Sequence, residues 1–123
     1  MNSRDQIFRR LHQEGVLILA NAWDAGSARL IESLGAKAIA TTSCGVAWSH
    51  GYADGNHLPV PLLVATIAGI ARAVAVPLTA DVEGGYSSDP AAVGEPFAQA
   101  PARGQRKRHV GRIAAVAVLW VPP

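Results

Sequence analysis

The chain has 123 residues, half of them apolar and only 16% charged, which is enough for one domain with a sizeable core. Its net charge of +2 is unevenly spread: residues 1–95 carry six Lys or Arg against nine Asp or Glu, and residues 96–123 carry five Lys or Arg and no acid. The basic cluster at 103–108 has no interleaved aromatic residues for base stacking, so no nucleic-acid partner is expected. A lone Cys44 excludes an internal disulfide. No apolar run reaches the ~18 residues that span a bilayer, and the N-terminus lacks a signal-peptide layout, so a cytoplasmic protein without membrane contact is expected.

In chain order, Ser3-Arg4-Asp5-Gln6 fits a capping box, and Ile7, Phe8 and Leu11 make a helical stripe. This predicts a helix over 4–14 that stops at Gly15. The continuous apolar run at 16–20 suits a buried strand. Asp24 is placed to cap a helix over 25–34, which would bury Ala28, Ile31 and Leu34 and stop at Gly35. A second strand is expected over 37–42, followed by an extended connection over 43–59 that carries Trp48, His50, Tyr52, Asp54 and His57. Connections of that length in compact domains are often functional.

Pro61 predicts the start of a third helix, with Leu63, Ile67, Ile70 and Val74 on one face. Residues 76–80 read as the third strand, and Asp89-Pro90 as the start of another helix. Strands alternating with helices predict an α/β fold with a parallel sheet, in which loops at the carboxyl ends of the strands hold the chemistry. The informative polar residues fall on that rim, at 21–24, 43–54 and 81–86. From Pro96 onward the pattern is lost, so residues 1–95 are expected to form the ordered domain and residues 96–123 a basic tail that is disordered or packed in a makeshift way.

The chemistry concentrates at the end of the third strand. Asp81 and Glu83, two residues apart, would point to the same side of a strand, and a Gly-Gly turn follows at once. Paired like charges repel unless a cation or proton lies between them, and oxygen ligands beside a glycine turn suit a hard metal. The simpler alternatives are a solvated strand end for this pair, a turn for Asp54-Gly55 and half-buried packing for Trp23 and Trp48. His50 and His57 lack the helical spacing of a zinc pair, and Ser43 has no His–Asp partners in sequence.

Four segments together resemble the isocitrate lyase / phosphoenolpyruvate mutase superfamily, especially its mutase-like members. They are Leu19-Ala-Asn-Ala-Trp-Asp-Ala-Gly-Ser-Ala-Arg-Leu30, Thr41-Thr-Ser-Cys-Gly-Val-Ala-Trp48, Gly51-Tyr-Ala-Asp-Gly55 and Thr79-Ala-Asp-Val-Glu-Gly-Gly-Tyr86. The resemblance covers roughly residues 5–95 in the family's order and spacing. It implies the first three β/α units of a (β/α)8 TIM-type barrel, incomplete here because such a barrel takes about 250 residues. It also implies Mg²⁺ (or Mn²⁺) at the carboxyl rim, with C–C or P–C bonds of small 2-oxo or phosphono carboxylic acids made or broken through an enolate-like intermediate.

By position, Asp81 resembles the direct metal ligand, and Glu83 and Asp54 the carboxylates that reach the metal through water. Ser43 and Gly45 match the loop that holds a substrate carboxylate, and Trp23 the aromatic wall of the pocket. Glu83 stands where many members have Asp, and Cys44 is not the catalytic cysteine of the lyases. The fourth strand's Glu-Asp, the lid with the lyase base and a later arginine have no counterpart. A truncation or frameshift after about residue 95 is therefore expected. The alternative function is an inactive remnant, or a fragment that self-associates through its open sheet edge. A flavodoxin-like phosphate binder ranks last, because the turns lack a phosphate-cradling glycine signature.

Overall fold

A computed structural model describes residues 4–89 and residue 92. It shows an α/β arrangement built on a small parallel sheet of order β1-β2-β3. The elements are α1 (Arg4–Leu11), β1 (Ala20–Ala22), α2 (Ala25–Ser33), β2 (Ile39–Thr41), α3 (Ser43–Ser49), α4 (Val60–Ala73) and β3 (Leu78–Thr79). Ala20, Asn21 and Ala22 pair with Ile39, Ala40 and Thr41, and Ile39 and Ala40 pair with Leu78 and Thr79. All three strands therefore end on the same side, as consecutive parallel units require.

The expected alternation is present, with local differences that have physical reasons. The first strand lies at 20–22 rather than 16–20, and Val16 and Ile18 are 96% and 80% exposed. Among the described residues β1 pairs only with β2, so nothing covers the segment that leads into it. The other two strands are trimmed at both ends. The connection at 43–59 opens with an unpredicted helix, α3. Its N-cap Thr42 accepts a hydrogen bond from the Gly45 N–H, and it buries Val46 and Ala47. Ser, Cys and Gly in its first turn are weak helix formers, which hid it from a propensity reading.

Asp24 caps helix α2 as expected, and Ser27 completes a capping box: the Asp24 carboxylate accepts from Ser27 N at 2.7 Å, and the Asp24 N–H donates to Ser27 Oγ at 3.2 Å. The expected burial of Leu34 is overturned. It falls at the C-cap, one residue before the left-handed Gly35, and is 79% exposed. In α4 the periodicity reading holds, since Leu63, Ile67, Ile70 and Val74 are all at most 3% exposed.

The core has two parts. One, beneath the rim, gathers Val46, Ala47, Leu58, Leu63, Ile67, Ala80 and Val82. The other joins Ala22, Ala28, Ile39, Ile70 and Val74 between the sheet and the α2–α4 pair. Among the described residues no helix is long and apolar enough to cross a membrane. The Ser3 capping box, the helix expected from Pro90 and the tail at 96–123 lie outside the described residues.

Candidate active site

The register of the sheet assembles the rim. Pairing of Ala40 with Thr79 sets the end of β2 beside the chain leaving β3. There the Asp81 N–H donates to the Oγ1 of the buried Thr41 at 2.8 Å, which ties the chain leaving β3 to the end of β2. Asp81 then organises its neighbours. Its Oδ1 accepts from Glu83 N at 2.9 Å, and its Oδ2 accepts from Ser43 N at 3.4 Å. The two rim segments singled out in the sequence, 43–54 and 81–86, thus meet at one carboxylate.

Glu83 meets the end of the 43–54 segment and the turn that follows it. Its Oε2 accepts the backbone N–H of Asn56, the Gly55 backbone also faces the carboxylate, and the Asp54 carboxyl lies within hydrogen-bonding reach of it. Burial pushes the Glu83 carboxyl above its ordinary range, and the neighbouring Asp54 adds to the rise against the lowering effect of the two backbone groups. Tyr86 joins the cluster. Its phenol is pushed up first by burial and then by the charges of Glu83, Asp54 and Asp81, while the residue packs on the core beneath the rim.

The backbone here is unusual. Asn56, Glu83 and Tyr86 have φ values of 62°, 55° and 57°, in the left-handed region, and Gly55 and Gly85 are also left-handed. Asn tolerates that region, but Glu and Tyr occupy it at a cost of about 1–2 kcal/mol each. Such conformations cluster at functional sites.

On the other flank, Gly45 is a close-approach position. A Cβ there would lie 2.6 Å from Thr42 Cγ2 and 3.4 Å from Trp23 Cβ. The Trp23 backbone N–H donates to Ser27 Oγ, so the α2 cap fixes where this half-exposed indole starts. All six residues singled out in the sequence (Trp23, Ser43, Gly45, Asp54, Asp81 and Glu83) therefore stand on one rim.

Thr41, Asn56 and Tyr86 were not singled out. Thr41 carried no signal beyond its place at a strand end, whereas Asn56 after Asp-Gly and Tyr86 after Gly-Gly stood beside turn formers. His50 instead shares a hydrogen bond with Thr66 Oγ1 at 2.9 Å, and Cys44 Sγ lies 3.2 Å from Thr42 Oγ1.

A model of the phosphoenolpyruvate phosphomutase family matches residues 8–106. The chain belongs to this family. It is 39% identical over 93 residues to an uncharacterized protein of Mycobacterium tuberculosis, a match covering 75% of this chain and 36% of that protein. The chain thus spans about a third of the length of that curated relative. A Burkholderia cenocepacia protein assigned as a phosphonomutase superposes with a TM-score of 0.76 at 42% identity, covering 82% of this chain and 43% of the other. A phosphonopyruvate hydrolase in complex with oxalate and Mg²⁺ superposes with a TM-score of 0.65 at 26% identity, covering 70% and 31%.

Whether the rim suits a metal turns on its donors. They are three carboxylates, the hard oxygen ligands that Mg²⁺ takes. Among the described residues no Lys, Arg or His pairs with any of the three. Equally, among the described residues no group of three or more His, Cys, Asp or Glu is close enough to hold an ion between them.

Proposed function

We propose that this rim is the first part of a Mg²⁺-dependent lyase or phosphonomutase site. Its substrates would be small 2-oxo or phosphono carboxylic acids, and the rim the carboxyl end of the first three units of a (β/α)8 barrel. The observation that carries this reading is the convergence of Asp81, Glu83 and Asp54 beside the loop of Ser43 and Gly45. The complex of a phosphonopyruvate hydrolase with oxalate and Mg²⁺ supports it, since oxalate is a small dicarboxylate and that chain is similar to this one.

In this reading Asp81 is the direct ligand, and Glu83 and Asp54 act through water; Mn²⁺ would satisfy the same oxygen donors. Bound there, the ion would act as a Lewis acid that offsets negative charge developing on an enolate oxygen. The protein's own groups bind and orient the substrate. The N–H groups of Ser43 and Gly45 make only long bonds within the chain, 3.4 Å to Asp81 and 3.5 Å to Thr42 Oγ1. A well-formed N–H···O bond is about 2.9 Å, so both donors have capacity left for a substrate carboxylate. Trp23, whose Cβ stands beside Gly45, would wall the same side.

Assays of pyruvate release from oxaloacetate and methylisocitrate-type substrates, with and without Mg²⁺, test the proposal. Metal-dependent turnover that disappears in Asp81→Ala is the expected result. Turnover indifferent to both metal and Asp81 would sink it.

A second reading, a non-enzymatic fragment that pairs through the open β1 edge with a second copy, is favoured by the exposure of Val16 and Ile18. It predicts no turnover and a melting temperature that rises with protein concentration.

A further inference from the structure

Glu83 reaches with its side chain across to the loop that carries Asp54. Its own N–H is fixed to Asp81, and its carboxylate faces the backbone of Gly55 and Asn56. Those two residues have φ values of 97° and 62°. Consecutive backbone N–H groups in a turn can line a concave cradle that holds an anion, and here the Gly55 and Asn56 backbone faces the Glu83 carboxylate. Here the anion is a side chain of the same protein. The cradle immediately follows Asp54, so whatever holds the cradle also sets where Asp54 stands.

The choice of residue at 83 points the same way. Its φ of 55° favours Asp or Asn over Glu, because a short polar side chain tolerates the left-handed region better. On backbone grounds alone Asp would be the better occupant, and it carries the same charge. What Glu adds is one methylene of reach.

We infer that Glu83 is a clasp: its carboxylate grips the Gly55–Asn56 backbone and thereby positions Asp54 over the rim, a role set by side-chain length rather than by charge. Asp81, Glu83 and the cradle form one continuous line of hydrogen bonds from β3 to the loop at 51–57. Glu83 is thus a positioning residue for Asp54. The consequence for metal binding rests on the proposed function above, but the clasp itself does not.

Length and charge are separable by two substitutions. Glu83→Asp keeps the charge and shortens the arm. Glu83→Gln keeps the arm and an acceptor oxygen, loses the charge, and gains an amide that can donate to Asp54. Amide hydrogen exchange of the metal-free full chain, resolved at Gly55 and Asn56, reads the clasp directly. Exchange at both amides should speed up by about tenfold or more in Glu83→Asp, as expected for loss of a hydrogen bond, and stay within about threefold of wild type in Glu83→Gln.

Amides at 63–70 in α4 serve as the folding control. Wild-type protection in Glu83→Asp, or acceleration in Glu83→Gln as large as in Glu83→Asp, would overturn the inference. If Glu83→Asp loses protection throughout α4, Glu83→Gln decides alone: retained protection upholds the clasp and lost protection refutes it. Mg²⁺ titration separates this inference from the function proposed above. Affinity should fall about 10–100-fold in Glu83→Asp, as for other groups that orient metal ligands. A wild-type chain that binds no Mg²⁺ yet shows the expected exchange pattern would refute the metal reading and uphold the clasp.

Discussion

The two ends of the sheet treat their charges in opposite ways. At the end away from the rim, where α4 turns back into β3, charged side chains close on backbone groups that the helix leaves unpaired. Arg4 donates to Ala71 O at 3.2 Å and to Val74 O at 2.8 Å, and Arg29 to Ala73 O at 3.1 Å. Glu32 Oε1 accepts from Ala75 N at 2.6 Å and Val76 N at 3.1 Å, and its Oε2 pairs with Arg29 at 3.2 Å. Positive groups at a helix C-terminus and a carboxylate on free N–H groups are both favourable placements. At the rim, Asp81, Glu83 and Asp54 have no ion-pair partner among the described residues, and Glu83 and Tyr86 adopt left-handed backbone. One end pairs its charges; the other leaves its carboxylates without a cationic partner, the arrangement that the proposed metal site would use.

Substitutions should sort by end. The largest effect belongs to Asp81→Ala, which should reduce metal-dependent turnover by more than about 100-fold, since the lost electrostatic stabilisation amounts to several kcal/mol. Its folding should change far less, because a like charge leaves the cluster as two hydrogen bonds are lost. Steady-state kinetics and urea unfolding, run side by side, check this split.

At the opposite end the pattern should invert. Glu32→Ala should cost about 2 kcal/mol of stability, because it removes two hydrogen bonds to a carboxylate, while leaving Mg²⁺ binding unchanged. Urea unfolding with a parallel Mg²⁺ titration tests it. An effect on metal affinity as large as that of Asp81→Ala would erase the distinction between the ends.

The rim's third wall gives a smaller effect. Gly45→Ala would place its Cβ 2.6 Å from Thr42 Cγ2, a β-branched side chain with little freedom to yield. A cost of about 1–3 kcal/mol is expected from overpacking, together with weaker binding of oxalate as a probe for a substrate carboxylate. Thermal unfolding and oxalate titration separate the two outcomes.

The smallest effect is a pH dependence. The Ala75 N–H, with Val76 and the charges of Arg29 and Arg4, holds the Glu32 carboxyl below its ordinary range. A depressed carboxyl stabilises the fold fully above its unfolded pKa and loses that contribution as pH falls through the folded value. Glu32→Gln should therefore flatten the acid limb of stability against pH below about pH 4.5, which unfolding curves at stepped pH would show.

What the sequence revealed follows the range of the interactions. The α4 stripe and the Asp24 cap were legible because each depends on residues within four positions of each other. The rim was legible because parallel strands carry their exits to one side whatever the side chains do. Helix α3 was hidden by weak formers and depends on the Thr42 cap and the burial of Val46 and Ala47. The exposure of Val16 and Ile18 was not visible because apolar composition does not say which neighbours a strand has. The Glu83–Asn56 contact joins positions 27 apart, and no local pattern encodes it.

Calorimetric titration of Mg²⁺ into the wild-type chain and into Asp81→Ala tests the central claim most directly. Saturable binding by the wild type that is lost in Asp81→Ala is the predicted result. Equal binding by both chains, or none by the wild type, would contradict the assignment of the rim as a metal-dependent site.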